Sequence, residues 1–454
     1  MRRIERHLTF LILCSAVFCA PPKPVIVYLP PSVTVDSTFG ARRSVSVVSG
    51  SRTFWEAMSS LDTGFVARQT PTEAQRAFAR ALSDIMSGRQ DEATLKLDSI
   101  RRTNSDTLVR RASRVLMTAM LQYQDRWNLL SELSAGVPRD VAIDDDRAGV
   151  ELWATAFKGV APRAMEFPSA AVVLPLTLSA AGTPVIPVGV NGKVRFLWLD
   201  TGSSMSILAS DVAADSGVEP LVSDTLEIAT TTGRVPARPT VIARLELGAI
   251  RIANSTAMIV SSDLMQVRLR ENNDSQPPVK IDGVIGFDII SRLDIRIDYV
   301  NRRVTLLAPV RRAPARGGRN LYWVGTPIVR MVTSKGVPLH FNLDTGAQET
   351  YATDGLIAKT KVKTFAGERR LIGGFAGLRI ARGRFIDELH LTTGGQPVLL
   401  RKLLVFAPAF SSFVGLDGIL GSDVGRSGVV RIDATNGLFI LEPSPSGRGL
   451  RAVS

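Results

Sequence analysis

The spacing of apolar residues changes near residue 169. Ahead of it the period is helical: Phe78, Leu82, Ile85 and Met86 fall on one face. Thr70-Pro71-Thr72-Glu73 precedes them with an N-cap, a proline at the first helical position and a glutamate at the capping-box position. Ser87-Gly88 ends this helix, Asp91–Arg101 forms a second, and Ser105–Tyr123 with Asp125–Leu133 reads as a further pair. Beyond Ser169 short runs rich in Val, Ile, Leu and Thr alternate with Gly, Asn and Pro turns, the pattern of an all-β region. At the other end, Arg2, Arg3 and Arg6 stand before an apolar stretch, Leu8 to Ala20, that is too short to span a bilayer comfortably. The pattern divides the chain into an export segment (1–20), a Pro-rich linker (21–50), a helical domain (51–165) and two β lobes (170–310 and 318–445).

The β half repeats itself. Asp282-Gly283-Val284-Ile285-Gly286-Phe287-Asp288 is matched by Asp417-Gly418-Ile419-Leu420-Gly421-Ser422-Asp423, at an offset of 135. Arg296-Ile297-Asp298 and Asn301 meet Arg431-Ile432-Asp433 and Asn436 at the same offset. Upstream, Phe196-Leu197-Trp198-Leu199-Asp200-Thr201-Gly202 matches His340-Phe341-Asn342-Leu343-Asp344-Thr345-Gly346 at an offset of 144. The nine extra residues of the first copy fall in a polar stretch, 268–278, read as a surface-loop insertion. Two copies of one β module are therefore expected.

Each copy places Asp-Thr-Gly at the end of an apolar strand, with the apolar-apolar-Gly element about eighty residues on. This resembles the aspartic peptidases of the retropepsin and pepsin kind, over about residues 170–445. The resemblance implies a bilobed unit of two acid-protease β lobes and an aspartic endopeptidase with Asp200 and Asp344 as a shared dyad. It implies further that Thr201 and Thr345 lock the two loops together and that Gly202 and Gly346 let the backbones approach. Ser203 would tune the pair from one side, since Ala347 stands at the matching position. Retroviral members carry Arg after the second glycine, where it helps hold the dimer; here Phe287 and Ser422 stand instead, so other contacts must join the lobes. The turn-rich segments Thr230–Arg234 and Gly373–Gly377 are candidate flaps, without the tyrosine of pepsin-like flaps.

The chemistry has a reason independent of the resemblance. Two carboxyls about 3 Å apart cannot both ionise, so they share a proton and titrate as a pair. One then takes a proton from water while the other polarises a carbonyl. A third triplet, Asp62-Thr63-Gly64, has no apolar strand before it and no downstream partner, and reads as a turn. Asp282, Asp288, Asp417 and Asp423 read as turn and cap residues, and His340 as a strand histidine on the same face as Asp344.

Composition narrows the alternatives. Both cysteines, Cys14 and Cys19, lie in the first twenty residues, which leaves the folded body without disulfides, thiol nucleophiles or Cys-based metal sites. Three histidines (His7, His340, His390) exclude a His-rich metal cage and give a Ser-His-Asp triad little support. No cofactor and no metal are expected. The net charge of +13 comes from scattered arginines, 45 against ten lysines, with no basic run interleaved with aromatics, so no specific nucleic-acid partner is expected. Cys19, preceded by Ala16 and Val17 and followed by the tether Pro21–Pro31, resembles a bacterial lipoprotein acceptor, with Phe18 in place of the usual small residue. The implied location is the cell envelope, exported to the periplasm and tethered to the membrane. The paired helices resemble tetratricopeptide-type repeats, a surface for a protein partner. The expected substrate is a peptide or protein, and the expected unit a monomer, with a homodimer as the variant. The competing reading is a catalytically silent binding or scaffold protein built on the same lobes.

Overall fold

The computed structural model describes residues 25–28, 52–67, 70–135, 152–230, 233–267, 278–313, 318–367, 370–374, 377–381, 383–406, 413–426 and 428–443. The export segment with Cys19, most of the Pro-rich stretch and the loop insertion 268–277 lie outside the described residues.

Five helices open the described chain: α1 (Arg52–Ser59), α2 (Glu73–Met86), α3 (Gln90–Thr103), α4 (Thr107–Tyr123) and α5 (Trp127–Ala135). The N-cap of α2 is Thr72, two residues later than the motif predicted. Thr72 Oγ1 accepts from the Gln75 amide at 3.2 Å and Gln75 Oε1 accepts from the Thr72 amide at 3.0 Å. That reciprocal pair satisfies two end-of-helix donors, and Glu73 is left in the first turn, where a negative charge suits the helix dipole. Asp106 caps α4 through the Leu108 and Val109 amides. Phe78, Leu82 and Ile85 of α2 are buried, as are Leu97 of α3 and Leu116 and Met120 of α4. α1 was not foreseen; its Phe54 and Trp55 pack edge-on against Phe78, with ring centroids 6.5 and 5.4 Å away.

The first lobe comprises β1 (Val172–Pro175), β2 (Pro184–Val190), β3 (Lys193–Leu199), β4 (Ser206–Ala209), β5 (Arg234–Leu247), β6 (Ile250–Val260), β7 (Gly283–Ile285), β8 (Asp294–Asp298) and β9 (Arg303–Leu307). The second comprises β10 (Pro327–Thr333), β11 (Pro338–Leu343), β12 (Tyr351–Ala352), β13 (Arg384–Thr393), β14 (Gln396–Val405), β15 (Gly418–Leu420), β16 (Gly428–Asp433) and β17 (Leu438–Pro443). In the first lobe the pairing β2-β3-β7-β4-β6-β5 returns to β2, closing a six-stranded barrel. In the second, β10-β11-β15-β12-β14-β13 returns to β10 in the same order. The short β7 and β15 lie parallel to β3 and β11, and antiparallel to β4 and β12. The strand Val25–Tyr28, inside the stretch read as linker, runs parallel to β14 with Val25 opposite Val398.

A five-stranded sheet, β17-β16-β8-β9-β1, joins the lobes. At its centre β8 and β16 pair antiparallel, and Arg296 faces its repeat mate Arg431. The repeated Arg-Ile-Asp is thus the seam between lobes. Arg431 grips Asp294 with two bonds, at 2.9 and 2.7 Å. Asp298 and Asp433 accept from Asn301 and Asn436, which makes the repeated asparagines matching turn residues. Buried apolar side chains run without interruption from Phe54 of α1 through both lobes to Leu441 of β17. The helical domain and the barrels share one core, and such a continuous core resists division into independent parts. Among the described residues no helix is long and apolar enough to cross a membrane.

Candidate active site

β3 and β11 end in buried runs, the apolar Leu197-Trp198-Leu199 and Phe341-Asn342-Leu343 with Asn342 bonded to Thr326, that carry Asp200 and Asp344 to the seam. The backbone of each aspartate is fixed from the neighbouring short strand: the Asp200 amide donates to Ile285 O at 3.0 Å, the Asp344 amide to Leu420 O at 2.9 Å. The two Asp-Thr-Gly turns then interlock. Thr201 Oγ1 donates to Leu343 O (2.9 Å) and accepts from the Thr345 amide (3.0 Å). Thr345 Oγ1 donates to Leu199 O (2.7 Å) and accepts from the Thr201 amide (3.0 Å). Both threonines are buried, so every one of these groups would be left without water if its partner were lost.

The glycines are required by proximity. A Cβ on Gly202 would lie 2.4 Å from Cγ of Asp344, and one on Gly346 would lie 2.4 Å from Cγ of Asp200. Each carboxyl therefore rests over the other turn's backbone, and the two are close enough to hydrogen-bond to each other. Each aspartate keeps 8 % of its surface exposed. Asp200 Oδ1 accepts from the Gly202 and Ser203 amides, at 2.8 and 3.2 Å; Asp344 Oδ1 accepts from the Ala347 amide at 2.9 Å. Burial pushes the Asp344 carboxyl well above the usual carboxylate range, and the Asp200 charge beside it adds to the push. Burial raises Asp200 too, against the hydrogen bonds from the Asp344 carboxyl and the Gly202 and Ser203 amides that favour its anion. Both carboxyls are thus held above the usual carboxylate range, and the pair shares a proton.

Ser203 does not act as expected. Its hydroxyl turns to Met205 O at 2.6 Å, and its amide is what reaches Asp200. Because Ala347 supplies the matching amide, the help comes from both sides and needs no hydroxyl.

Under each turn lies a buried carboxyl that the repeat placed in turn and cap roles. Asp288 Oδ1 accepts from Ser206 Oγ (2.9 Å), and Ser206 Oγ accepts from the Gly286 amide (3.1 Å). Asp423 accepts from the Thr350 hydroxyl (2.5 Å) and amide (2.8 Å), and Thr350 Oγ1 accepts from the Gly421 amide (3.0 Å). The next residue closes each circuit: the Phe287 amide donates to Ser203 O (2.7 Å), the Ser422 amide to Ala347 O (2.8 Å). Both aspartates thus brace the dyad turns from below. Burial pushes Asp423 up to about 6, against its bonds from Thr350.

Phe287, where retroviral members have arginine, lies 5.3 Å from Trp323 in a near-parallel stack (8°). Trp323 in turn stacks on Tyr123 of α4 at 5.1 Å. An aromatic contact among the two lobes and the helical domain, together with the central sheet, takes the place of a dimer-holding arginine. Asp62 lies outside the two barrels, in the turn after α1 that leads into the short helix Thr63–Ala67. His340 is buried beside Asp417, 4.0 Å from its Oδ2, and burial lowers it to about 3, which keeps it neutral. The candidate flaps fall at hairpin tips, between Leu226–Ala229 and β5 and between Arg370–Gly374 and Gly377–Ala381, with residues 231–232 and 375–376 outside the described residues. The strand Arg370–Gly374 comes within 8 Å, between Cα atoms, of the first-lobe strand Gln266–Val267.

Sequence reasoning missed Thr183, whose hydroxyl donates across the lobes to Gly346 O at 3.2 Å, and the arginines that meet Asp288. None sits in a repeated motif; Thr183 and Arg163 reach their partners over more than a hundred residues, and Arg292, four residues from Asp288, gains its second partner, Asp125, over a similar span. Among the described residues no cluster of His, Cys, Asp and Glu is arranged to hold a metal ion.

Residues 186–289, the first barrel with its Asp200 turn and Asp288, match the family model described as "Aspartyl protease". The resemblance first read from the two Asp-Thr-Gly repeats is thus carried by the first lobe as a whole. Among solved structures the chain is similar to the aspartic proteinase from Irpex lacteus, at 16% identity and a TM-score of 0.37, over 59% of this chain and 96% of that one. It is also similar to a retropepsin-like aspartic protease from Rickettsia conorii, at 16% identity and a TM-score of 0.21, over 32% of this chain and 95% of that one. No curated relative matches the chain.

Proposed function

We propose that this protein is an aspartic endopeptidase whose dyad is Asp200 and Asp344 of one chain. The observation that carries the reading is the interlock itself: two repeated turns, bound through reciprocal Thr201 and Thr345 hydrogen bonds, hold two buried carboxyls against each other. A purely structural turn has no need to bury a pair of acids whose carboxyls are both raised by that burial.

The division of labour follows from the donors. Asp200, with two amides on Oδ1, is the base; Asp344 holds the proton and is the acid. Asp200 takes a proton from a water between the carboxyls as the water oxygen bonds to the scissile carbonyl carbon. The Asp344 proton goes to the carbonyl oxygen, and a neutral gem-diol results. Asp200 then passes its proton to the amide nitrogen, the C–N bond breaks, and a gem-diol hydroxyl returns a proton to Asp344. The products are a carboxylic acid and an amine, with the dyad restored.

With residues 1–20 read as an export segment and Cys19 as a lipid acceptor, we place this activity at the cell envelope, in a membrane-tethered protein. Membrane fractionation of wild-type and Cys19→Ala chains tests the tether: loss of membrane association in the variant is expected, and retention overturns it. The activity is tested with the full-length protein, Asp200→Asn and Asp344→Asn, on a mixed peptide library from acid to neutral pH. Either substitution alone is expected to abolish cleavage. Absence of cleavage by the folded wild type at every pH would favour the silent binding protein.

A further inference from the structure

We propose that the helical domain is a fixed part of the catalytic unit, and that Asp125, in the turn between α4 and α5, is a positioning residue for the Asp200 loop. The inference rests on the aspartic-peptidase reading of the dyad.

Asp125 holds a left-handed backbone conformation, φ +56°, which aspartate tolerates better than most residues. That bend turns its carboxylate toward two arginines: Arg292, with Nη2 at 2.8 Å, and Arg163, with Nη2 at 3.4 Å, one residue before the strand Ala164–Glu166 that pairs with β6 of the first barrel. The Arg163 side chain is 3 % exposed, donates to Asp288 O at 2.7 Å and to Thr256 Oγ1 at 2.9 Å, and stands 3.0 Å from Asp288 Oδ2. Arg292 donates to Tyr123 O at 2.9 Å and also to Asp288 O. Arg163 is therefore held between two carboxyls, Asp125 and Asp288, while Arg292 bridges the Asp125 carboxyl and the Asp288 main-chain oxygen. Without Asp125, two adjacent and largely buried cations would face Asp288 alone, and breaking such a network by removing one partner is costly.

The clamp is connected to the chemistry by unbroken hydrogen bonds. Asp288 holds Ser206, Ser206 holds the Gly286 amide, the Phe287 amide holds Ser203 O, and the Ser203 amide holds Asp200 Oδ1. The same helical turn takes a second grip on this segment, since the Tyr123 ring lies 6.4 Å from Phe287 and stacks on Trp323. The Trp323 indole N–H donates to Ala119 O of α4 at 3.1 Å. In the second lobe the corresponding carboxyl, Asp423, is held by Thr350 of its own barrel. The helical domain thus reaches the bracing carboxyl under Asp200, whereas it meets the second lobe away from Asp423, through the Gly415 amide on Ser59 O at 2.8 Å and Phe413 against Phe78.

The test uses full-length Asp125→Asn, of the same size without the charge. Asp98→Asn, which unpairs Arg101 and Arg102 within α3, away from that turn, is the control. Steady-state kinetics per folded molecule should show kcat lower by about tenfold or more with KM unchanged, the signature of a displaced reacting group. Amide hydrogen exchange should rise at 199–207 while 343–351 and the helices keep their protection. Unchanged kcat and unchanged exchange at 199–207 overturn the proposal. If exchange rises through the helices as well, the variant has loosened the whole domain. Phe287→Leu, which keeps the charges and loosens the ring contact, then decides by the same local readout. If the wild type cleaves nothing, the peptidase reading fails by itself, and the exchange pattern alone decides whether Asp125 holds the Asp200 loop.

Discussion

The two barrels are copies in topology and in the interlocked turns, yet they differ in what lies underneath. Beneath Asp200 the bracing carboxyl, Asp288, meets Arg163 and through it the helical domain. Beneath Asp344 the equivalent Asp423 meets a threonine hydroxyl and amide. On top, the Gly202 and Ser203 amides bond one oxygen of Asp200 and the Ala347 amide bonds Asp344, while the Gly346 amide acts on both. A repeated motif therefore supplies two matching acids, and tertiary contacts give them unlike surroundings. Electrostatic asymmetry in a symmetric frame needs few residues, because a buried charge responds strongly to each neighbour.

The sharpest way to break the comparison is at the dyad. If the acids form one unit, Asp200→Asn and Asp344→Asn each lower kcat/KM by about a thousandfold or more, read on a single cleaved peptide. Survival of activity in one variant would mean that the lobes work separately. Next in size is the interlock. Thr201→Val and Thr345→Val each strand one buried amide and one buried carbonyl, and should cost about 2–6 kcal/mol in urea unfolding. The two losses should be alike, since the bonds are reciprocal.

Asp423→Asn tests the lower layer through pH. Asp423 is raised to about 6 in the folded chain, so between roughly pH 4 and 6 the unfolded chain ionises it while the folded chain keeps its proton. The wild type therefore loses stability as pH rises through that window, by about 3 kcal/mol, and the loss levels off above it. Urea midpoints measured from pH 4 to 7 should show that slope shrink in Asp423→Asn; an unchanged slope would assign it elsewhere. The smallest contrast is at the seam. Arg431, bidentate to the buried Asp294, should cost about 3 kcal/mol when changed to alanine. Arg296, its repeat mate, pairs with the part-exposed Glu442 and should cost under about 1 kcal/mol.

Much of the site was legible because its signals are local and occur twice. Asp-Thr-Gly at the end of an apolar strand, with a glycine-bearing short strand downstream, specifies a strand, a turn and a close approach within a few residues. The helices α2 to α5 were legible for a similar reason, since periodicity and capping act within one turn. What escaped was long-range or depended on a neighbour's choice. The Thr72–Gln75 cap displaced the expected one because two reciprocal bonds were available there. Ser203 gave its hydroxyl to Met205 O, which lies two residues on and was invisible as an acceptor before the turn was folded. Asp288 and Asp423 were read as turn and cap residues, since their partners Ser206 and Thr350 lie more than seventy residues away.

The sequence alone determined that the chain has two β modules with one acidic turn apiece, preceded by helices whose apolar faces need partners. These follow from periodicity, turn chemistry and repetition, which operate between neighbours. Tertiary structure decided how deeply the two acids are buried, which carboxyl braces each turn, and that Arg296 and Arg431 mark the seam. Those outcomes depend on burial and on charges brought together from distant segments. Desolvation and Coulomb energies depend on distance in space, and only the folded chain sets that distance.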